Sequence, residues 1–403
     1  MAAPLEGIRI IDMTTVMMGP FATQILGDLG ADIVKVEAPG GDSMRAVGPA
    51  RHEGMGPLFL NANRNKRSIV LDLKRPGGRD ILLRLVSGAD VFVFNARPKA
   101  MARLGLSYEE VARAAPGIIY AGAYGFGEGG PYAGRPAYDD LIQGLSAVPS
   151  LAMRASGTDD PLYAPVVLAD RVVGQSLAYT ILAALIHRMR TGEGQAIEVP
   201  MFETIAQFVL GDHMGGRTFD PPEGEMGYAR LLAKYRRPYA TSDGHICVVV
   251  YTDRHWRAFF ELIGRRAAFE DDPRLADMAT RTRHIDALYA LVAEELKQRT
   301  TAEWLELLEK ADIPAMPLHT PESLLKDPHL AAVNFFRTVE HPTEGRLVSM
   351  RLPARWSSAA RAEDLPAPPL GAHTREILRE AGFADGEIDH WLGSGAAVET
   401  SAA

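Results

Sequence analysis

Apolar residues fall along this chain in short runs whose period keeps changing. Ile8 to Met13 is an apolar run of strand length. Gly19-Pro20 then opens a stretch in which Phe21, Ile25 and Leu29 recur at helical spacing, with Pro20 suited to a first turn. A second strand-like run, Ile33 to Val36, stops at Ala38-Pro39-Gly40-Gly41. The alternation continues with Ser68 to Leu73 strand-like, Gly77 to Ser87 helical, and Val91 to Phe94 and Ile118 to Ala123 strand-like again. A helical stretch from Asp170 to Arg190 closes on Thr191-Gly192-Glu193-Gly194, and Ala196 to Val199 adds one more strand. Strands alternating with helices predict an α/β fold with a parallel sheet.

The texture changes near residue 215, where Gly215-Gly216 and Asp220-Pro221-Pro222-Glu223-Gly224 mark a loop or hinge. Beyond it His245 to Tyr251 reads as a strand, and the chain to residue 330 is mostly helical and charged. Leu352 to Leu370 is rich in Pro and Ala and is expected to run extended; a helical pair occupies Thr374 to Leu392. The tail, Ser394 to Ala403, is small and polar and is expected to be disordered. This divides the chain into residues 1–214, a smaller central α/β unit at 215–330, and a linker with C-terminal part at 331–403.

Length supports that division, since 403 residues exceed one ordinary domain. The composition, 47% hydrophobic and 23% charged, is that of a globular protein, and a net charge of −8 argues against general nucleic-acid binding. Cys247 stands alone, so no disulfide framework or thiolate metal cluster is expected. No basic, then apolar, leader opens the chain, and the longest apolar run, Leu177 to Ile186, suits a buried helix and not a membrane span. A cytoplasmic protein is expected.

Gly125-Phe126-Gly127-Glu128-Gly129-Gly130 matches a dinucleotide fingerprint, but Pro131, Gly134 and Pro136 follow where a helix would have to begin. A flexible loop lining a cleft fits better. The histidines show no metal-ligand spacing, Asp139-Asp140 and Glu270-Asp271-Asp272 read as solvated charge, and no G-x-S-x-G elbow is present. Asp170 is different: Val166 to Ala169 delivers one acid to the start of a helix. Two readings stand, a helix N-cap or a carboxylate nucleophile served by backbone N–H groups of the 125–130 loop. Upstream, Arg64, Lys66, Arg67, Lys74, Arg97 and Arg103 gather at loop–strand junctions, as a solvated face or as contacts for a phosphate-rich ligand.

Read in order, these segments resemble one family nearly end to end. They run from Leu5-Glu6-Gly7-Ile8-Arg9 and Gly19-Pro20-Phe21-Ala22-Thr23 through Leu29 to Glu37, Asn65-Lys66-Arg67-Ser68-Ile69 and Leu71-Asp72-Leu73-Lys74. Gly125-Phe126-Gly127, Arg135-Pro136-Ala137-Tyr138-Asp139, Ala169-Asp170 and Thr191 to Gln195 follow, then Ile313-Pro314-Ala315, Asp327-Pro328-His329 and Leu370 to Thr374. The chain is similar to the class III CoA-transferases, the group of formyl-CoA transferase, the carnitine CoA-transferases and the α-methylacyl-CoA racemases.

The resemblance implies a Rossmann-like large domain built from both chain ends, a smaller central α/β domain, and an interlocked homodimer. It implies that Asp170 is the catalytic aspartate, carrying the acyl group as a mixed anhydride and then coenzyme A as a thioester, with no metal. Coenzyme A, entering as an acyl-CoA, is expected at Val16, Met17, Leu71, Asp72, Lys74, Asn95, Arg97, Arg103 and Tyr138. Small-molecule acyl-CoA and carboxylic acids are the expected partners, with no nucleic acid and no membrane. Three departures stand out. Ala38 replaces an arginine and Pro136 a lysine of formyl-CoA transferase, and the run of four glycines over its active site is missing. The racemases carry a histidine base where this chain has Tyr138, and an unperturbed tyrosine is a poor base at neutral pH. Transfer is therefore the first expectation and 2-methylacyl-CoA racemisation the second.

Overall fold

A computed structural model describes residues 2–360 and 364–400. The chain divides into two compact units. The first combines residues up to 146, 165–207 and those from 331 onward; the second combines 147–164 with 208–330. Both chain ends thus belong to the first unit. The second begins at 208, not 215, and recruits the 147–164 segment, whose helix Val148–Ser156 has no buried residue to mark it in sequence.

The first unit is built on a seven-stranded sheet. Its six N-terminal strands are β1 (Arg9–Met13), β2 (Asp32–Glu37), β3 (Lys66–Leu71), β4 (Val91–Phe94), β5 (Ile119–Tyr124) and β6 (Gln195–Pro200). They lie parallel in the order β3-β2-β1-β4-β5-β6. Alternate residues explain the continuous apolar runs, because both faces are covered. Ile11, Val36, Ile69, Phe92, Phe94 and Tyr120 pack in one core with Ile81, Leu85, Val111, Ile377 and Ile388 of the helices on that face. The first helix, Met18–Asp28, packs against the long helix Leu168–Thr191, which also meets β5 and β6. The long helix has the length and composition of a membrane span. Ala169, Val173, Leu177 and Ile181 are nevertheless fully buried within the protein.

The tail departs from the expectation of disorder. Ala397–Val398 is a strand antiparallel to β3, pairing Ala397 with Leu71 and Val398 with Val70. Ala396 and Ala397 are fully buried, and Thr374 Oγ1 donates to the Val398 carbonyl at 2.7 Å. Small side chains let this backbone close the sheet edge. Residues 401–403 lie outside the described residues. Leu352 to Leu370 carries neither helix nor strand among its described residues. An antiparallel hairpin, Phe336–His341 with Gly345–Met350, precedes it.

The second unit carries a three-stranded antiparallel sheet, Tyr239–Ala240, His245–Val248 and Ala315–Pro317. Its core holds Trp256, Phe259, Phe260, Leu288, Val292 and Trp304. The central strand ends at Val248, three residues before the expected Tyr251. Cys247 on it is half-buried.

Candidate active site

β1 has β2 on one side and β4 on the other, so consecutive connections leave in opposite directions there. Such a switch point opens a crevice outside the carboxyl ends of the strands. A cavity of about 610 Å3 lies at that place. Each of the six parallel strands sends a residue at or just beyond its carboxyl end into it: Met13, Ala38, Leu71, Asn95, Gly125 and Met201. The long helix adds Asp170.

Asp170 does not cap this helix. The N-cap is Val167, without a side-chain bond, and Asp170 lies in the first turn. Its backbone N–H donates to Asp139 Oδ1 at 3.0 Å, while Asp139 Oδ2 accepts from Gln143 Nε2 at 2.6 Å. Asp139 and Gln143 are both buried. Among the described residues no hydrogen bond reaches the Asp170 carboxylate. Loss of water is the main force on it, the charge of Asp139 adds to the effect, and Arg171 opposes it; the carboxyl is pushed up to about 6. Arg171 itself lies over the Phe21 ring at 4.3 Å. The result is a carboxylate with little stabilisation of its charge, facing a cavity.

Beside it the chain turns sharply from β1 into the first helix. Val16 has φ +71°, a left-handed conformation costly for a β-branched residue. Asp42 holds it there, accepting the Val16 N–H at 3.2 Å on both oxygens. Asp42 is held in turn by Lys35, whose Nζ reaches it at 3.1 Å and the Thr14 carbonyl at 2.9 Å. Asn95 clamps Thr15 from the other side, accepting its N–H at 3.1 Å and donating to its carbonyl at 2.8 Å. Behind this turn Asp12 is fully buried and accepts from Thr14, Thr23 and Lys66.

Of the residues singled out in the sequence, Val16, Leu71, Asp72, Lys74, Asn95, Arg97, Tyr138 and Asp170 line this cavity. Met17 and Arg103 do not. Met17 is buried, and Arg103 Nε turns back to the Lys99 carbonyl at 3.3 Å. Few of the upstream cations face this cavity. Arg64 pairs with Asp28, Lys66 with Asp12, and Arg67 with Asp32, Glu376 and Glu380. Lys74 and Arg97 do face the cavity, and Arg135 joins them. Among the described residues none of these three has a carboxylate partner. Arg135 opens the Arg135-to-Asp139 motif, of which only Tyr138 was expected at the coenzyme.

The glycine-rich loop differs from expectation too. The Gly127 N–H donates to Glu203 at 3.0 Å and the Glu128 N–H to Glu198 at 3.1 Å, so neither is free to meet a substrate oxygen. Of its glycines Gly125 alone lines the cavity. A Cβ there would lie 2.3 Å from that of Ala137, which is why the position must be glycine.

Fold and site define an α/β enzyme that presents one poorly stabilised carboxylate and three uncompensated cations at a sheet switch point. The chain matches the model of CoA-transferase family III over residues 5–374 and belongs to that family. The succinate–glutarate CoA-transferase of Agrobacterium fabrum is 34% identical over 384 residues, covering 94% of this chain and 95% of that one. The acetyl-CoA:oxalate CoA-transferase of Acetobacter aceti is 36% identical over 336 residues, 82% of this chain and 85% of its own. A CaiB/BaiF family protein from Brucella suis, a solved structure, superposes with a TM-score of 0.79 at 31% identity, covering 94% of this chain and 100% of that chain.

Proposed function

We propose that this enzyme moves coenzyme A from an acyl-CoA thioester to a carboxylic acid through covalent intermediates on Asp170. The observation that carries the reading is the Asp170 carboxyl, drawn out of water and raised to about 6. At neutral pH it is ionised, and its charge lacks the hydrogen bonds that would blunt its nucleophilicity. An Asp170 oxygen attacks the thioester carbonyl carbon, the C–S bond breaks, and the thiolate leaves behind a mixed anhydride. The Asp170 Cγ then accepts the thiolate; its bond to the anhydride oxygen breaks, and the donor departs as a carboxylate. The acceptor carboxylate attacks Cγ of the resulting aspartyl thioester and the same two steps run in reverse, regenerating Asp170. No proton is consumed. Lys74, Arg97 and Arg135 suit the phosphates of an acyl-CoA and compensate for Ala38 and Pro136, where formyl-CoA transferase is cationic. The reading includes a Rossmann-like large domain and a homodimer. Relatives named for succinate, glutarate and oxalate support a carboxylate acceptor.

Mass spectrometry after incubation with acetyl-CoA or succinyl-CoA tests the proposal. A coenzyme A adduct on the peptide holding Asp170 is expected, abolished in Asp170→Ala. Transfer activity surviving in that variant would overturn it. So would α-proton exchange in deuterated water without any adduct, the signature of a racemase.

A further inference from the structure

Residues 228–241 contain Arg230, Lys234, Arg236 and Arg237 and no acidic residue, although the chain as a whole carries −8. The segment lies wholly in the second unit. There Arg230, Arg236 and Arg237 line a cavity of about 240 Å3, closed by Tyr239, Tyr289 and Val248 together with Cys247. Among the described residues no carboxylate lines it.

Several arginines of this unit are neutralised. Arg254 pairs with Asp312, Arg265 with Glu295, Arg266 with Glu261, Arg274 with Asp272 and Arg281 with Asp253. Among the described residues, the three at the cavity have no carboxylate partner. Arg230 Nε donates to the Tyr289 hydroxyl at 2.9 Å, and its guanidinium lies 5.0 Å over the Tyr251 ring. Arg237 Nε donates to the Lys234 carbonyl at 2.8 Å. The Arg236 side chain makes no hydrogen bond or ion pair among the described residues. Asp286 meets the segment at the Tyr235 N–H, 3.4 Å away, and not at a guanidinium. Three like charges around one concavity repel each other, and an anion seated between them removes that cost.

We propose that Arg230, Arg236 and Arg237 form a binding site for the carboxylate of a short organic acid whose hydrocarbon part lies against Tyr239, Tyr289 and Val248. Guanidinium forks match the two oxygens of a carboxylate, and the aromatic and aliphatic wall suits carbon, which inorganic phosphate would leave uncovered. The site stands whether or not Asp170 carries the acyl group.

Cys247 is the chain's only cysteine and lines this cavity, so its modification by a thiol reagent reports occupancy. Sodium glutarate at constant ionic strength is expected to slow that modification and to bind by calorimetry, with equal affinity in Asp170→Asn. The double variant Arg236→Gln/Arg237→Gln, both exposed positions, is expected to fold normally and to bind about tenfold or more weakly. Arg236→Lys/Arg237→Lys keeps the charge without the forks and should fall between. The proposal is overturned if the Gln variant binds glutarate as wild type does, if binding vanishes in Asp170→Asn, or if inorganic phosphate protects Cys247 as well as glutarate does.

Discussion

Asp12 and Asp170 are both acids that the first unit withdraws from water, and they end far apart. Burial raises the Asp12 carboxyl, but Lys66 and Lys35 together with the Thr14 and Thr23 hydroxyls outweigh it and pull it down to about 2. Burial raises Asp170 as well, and there the second influence is another acid, Asp139, so the carboxyl rises to about 6. Asp12 is a satisfied charge that helps hold the turn under the cavity. Asp170 is a charge left wanting at the cavity wall. What separates the structural acid from the one proposed to react is the company it keeps, not its depth.

Breaking the reactive side has the largest effect expected. Asp170→Asn should lower transfer on the order of 10⁴-fold or more, as loss of a nucleophile does elsewhere, measured as turnover with saturating acyl-CoA. Breaking the structural side comes next. Asp12→Asn leaves the Lys66 ammonium buried without its counter-charge and should cost about 3–5 kcal/mol by urea unfolding. Adding Lys66→Met should recover part of that loss, and no recovery would mean that the pair is not coupled.

The same contrast predicts opposite pH behaviour. The Asp12 carboxyl lies below its unfolded value, so its contribution to stability is present above about pH 4 and is lost as pH falls toward 2. The Asp170 carboxyl lies above its unfolded value, so its charge costs stability in full above pH 6 and nothing below the unfolded value of 3.8. Asp170→Asn should therefore be more stable than wild type by about 3 kcal/mol at pH 8 and equal to it at pH 3.5, by chemical denaturation. Activity should fall on the acid side with a midpoint near 6. Asp139→Asn keeps an acceptor for the Asp170 N–H but removes a charge, and should move that limb to lower pH; an unmoved limb would free Asp139 of the role.

The smallest effect expected concerns the strained turn. Val16→Gly should be neutral or stabilising, within about 1 kcal/mol, because glycine accepts φ +71° freely. Its kcat should fall as the turn between Asp42 and Asn95 loosens. A loss of stability without a change in kcat would show that the strain serves packing alone.

Much of this was legible in the residue pattern. The six parallel strands lie where the apolar runs fall, within a few residues, and eight of ten singled-out positions meet at one cavity. The failures share a cause. Arg64, Lys66 and Arg67 looked like ligands for phosphate because their partners, Asp28, Asp12 and Asp32, lie 36, 54 and 35 residues away. The glycine loop looked free because Glu198 and Glu203, which hold it, come 70 and 76 residues later. The tail looked disordered because a strand that only closes a sheet edge needs no hydrophobic period of its own.

Sequence by itself therefore determined the alternation of strands and helices and the parallel sheet they build. Periodicity, glycine and proline act over a few residues, and short-range physics is written where it acts. Only the tertiary structure decided which charges cancel. Lys66 finds Asp12 and Arg67 finds Asp32 across the sheet, whereas Asp170, Lys74, Arg97 and Arg135 are left facing one cavity. Electrostatic pairing depends on distance through space, and folding alone sets that distance.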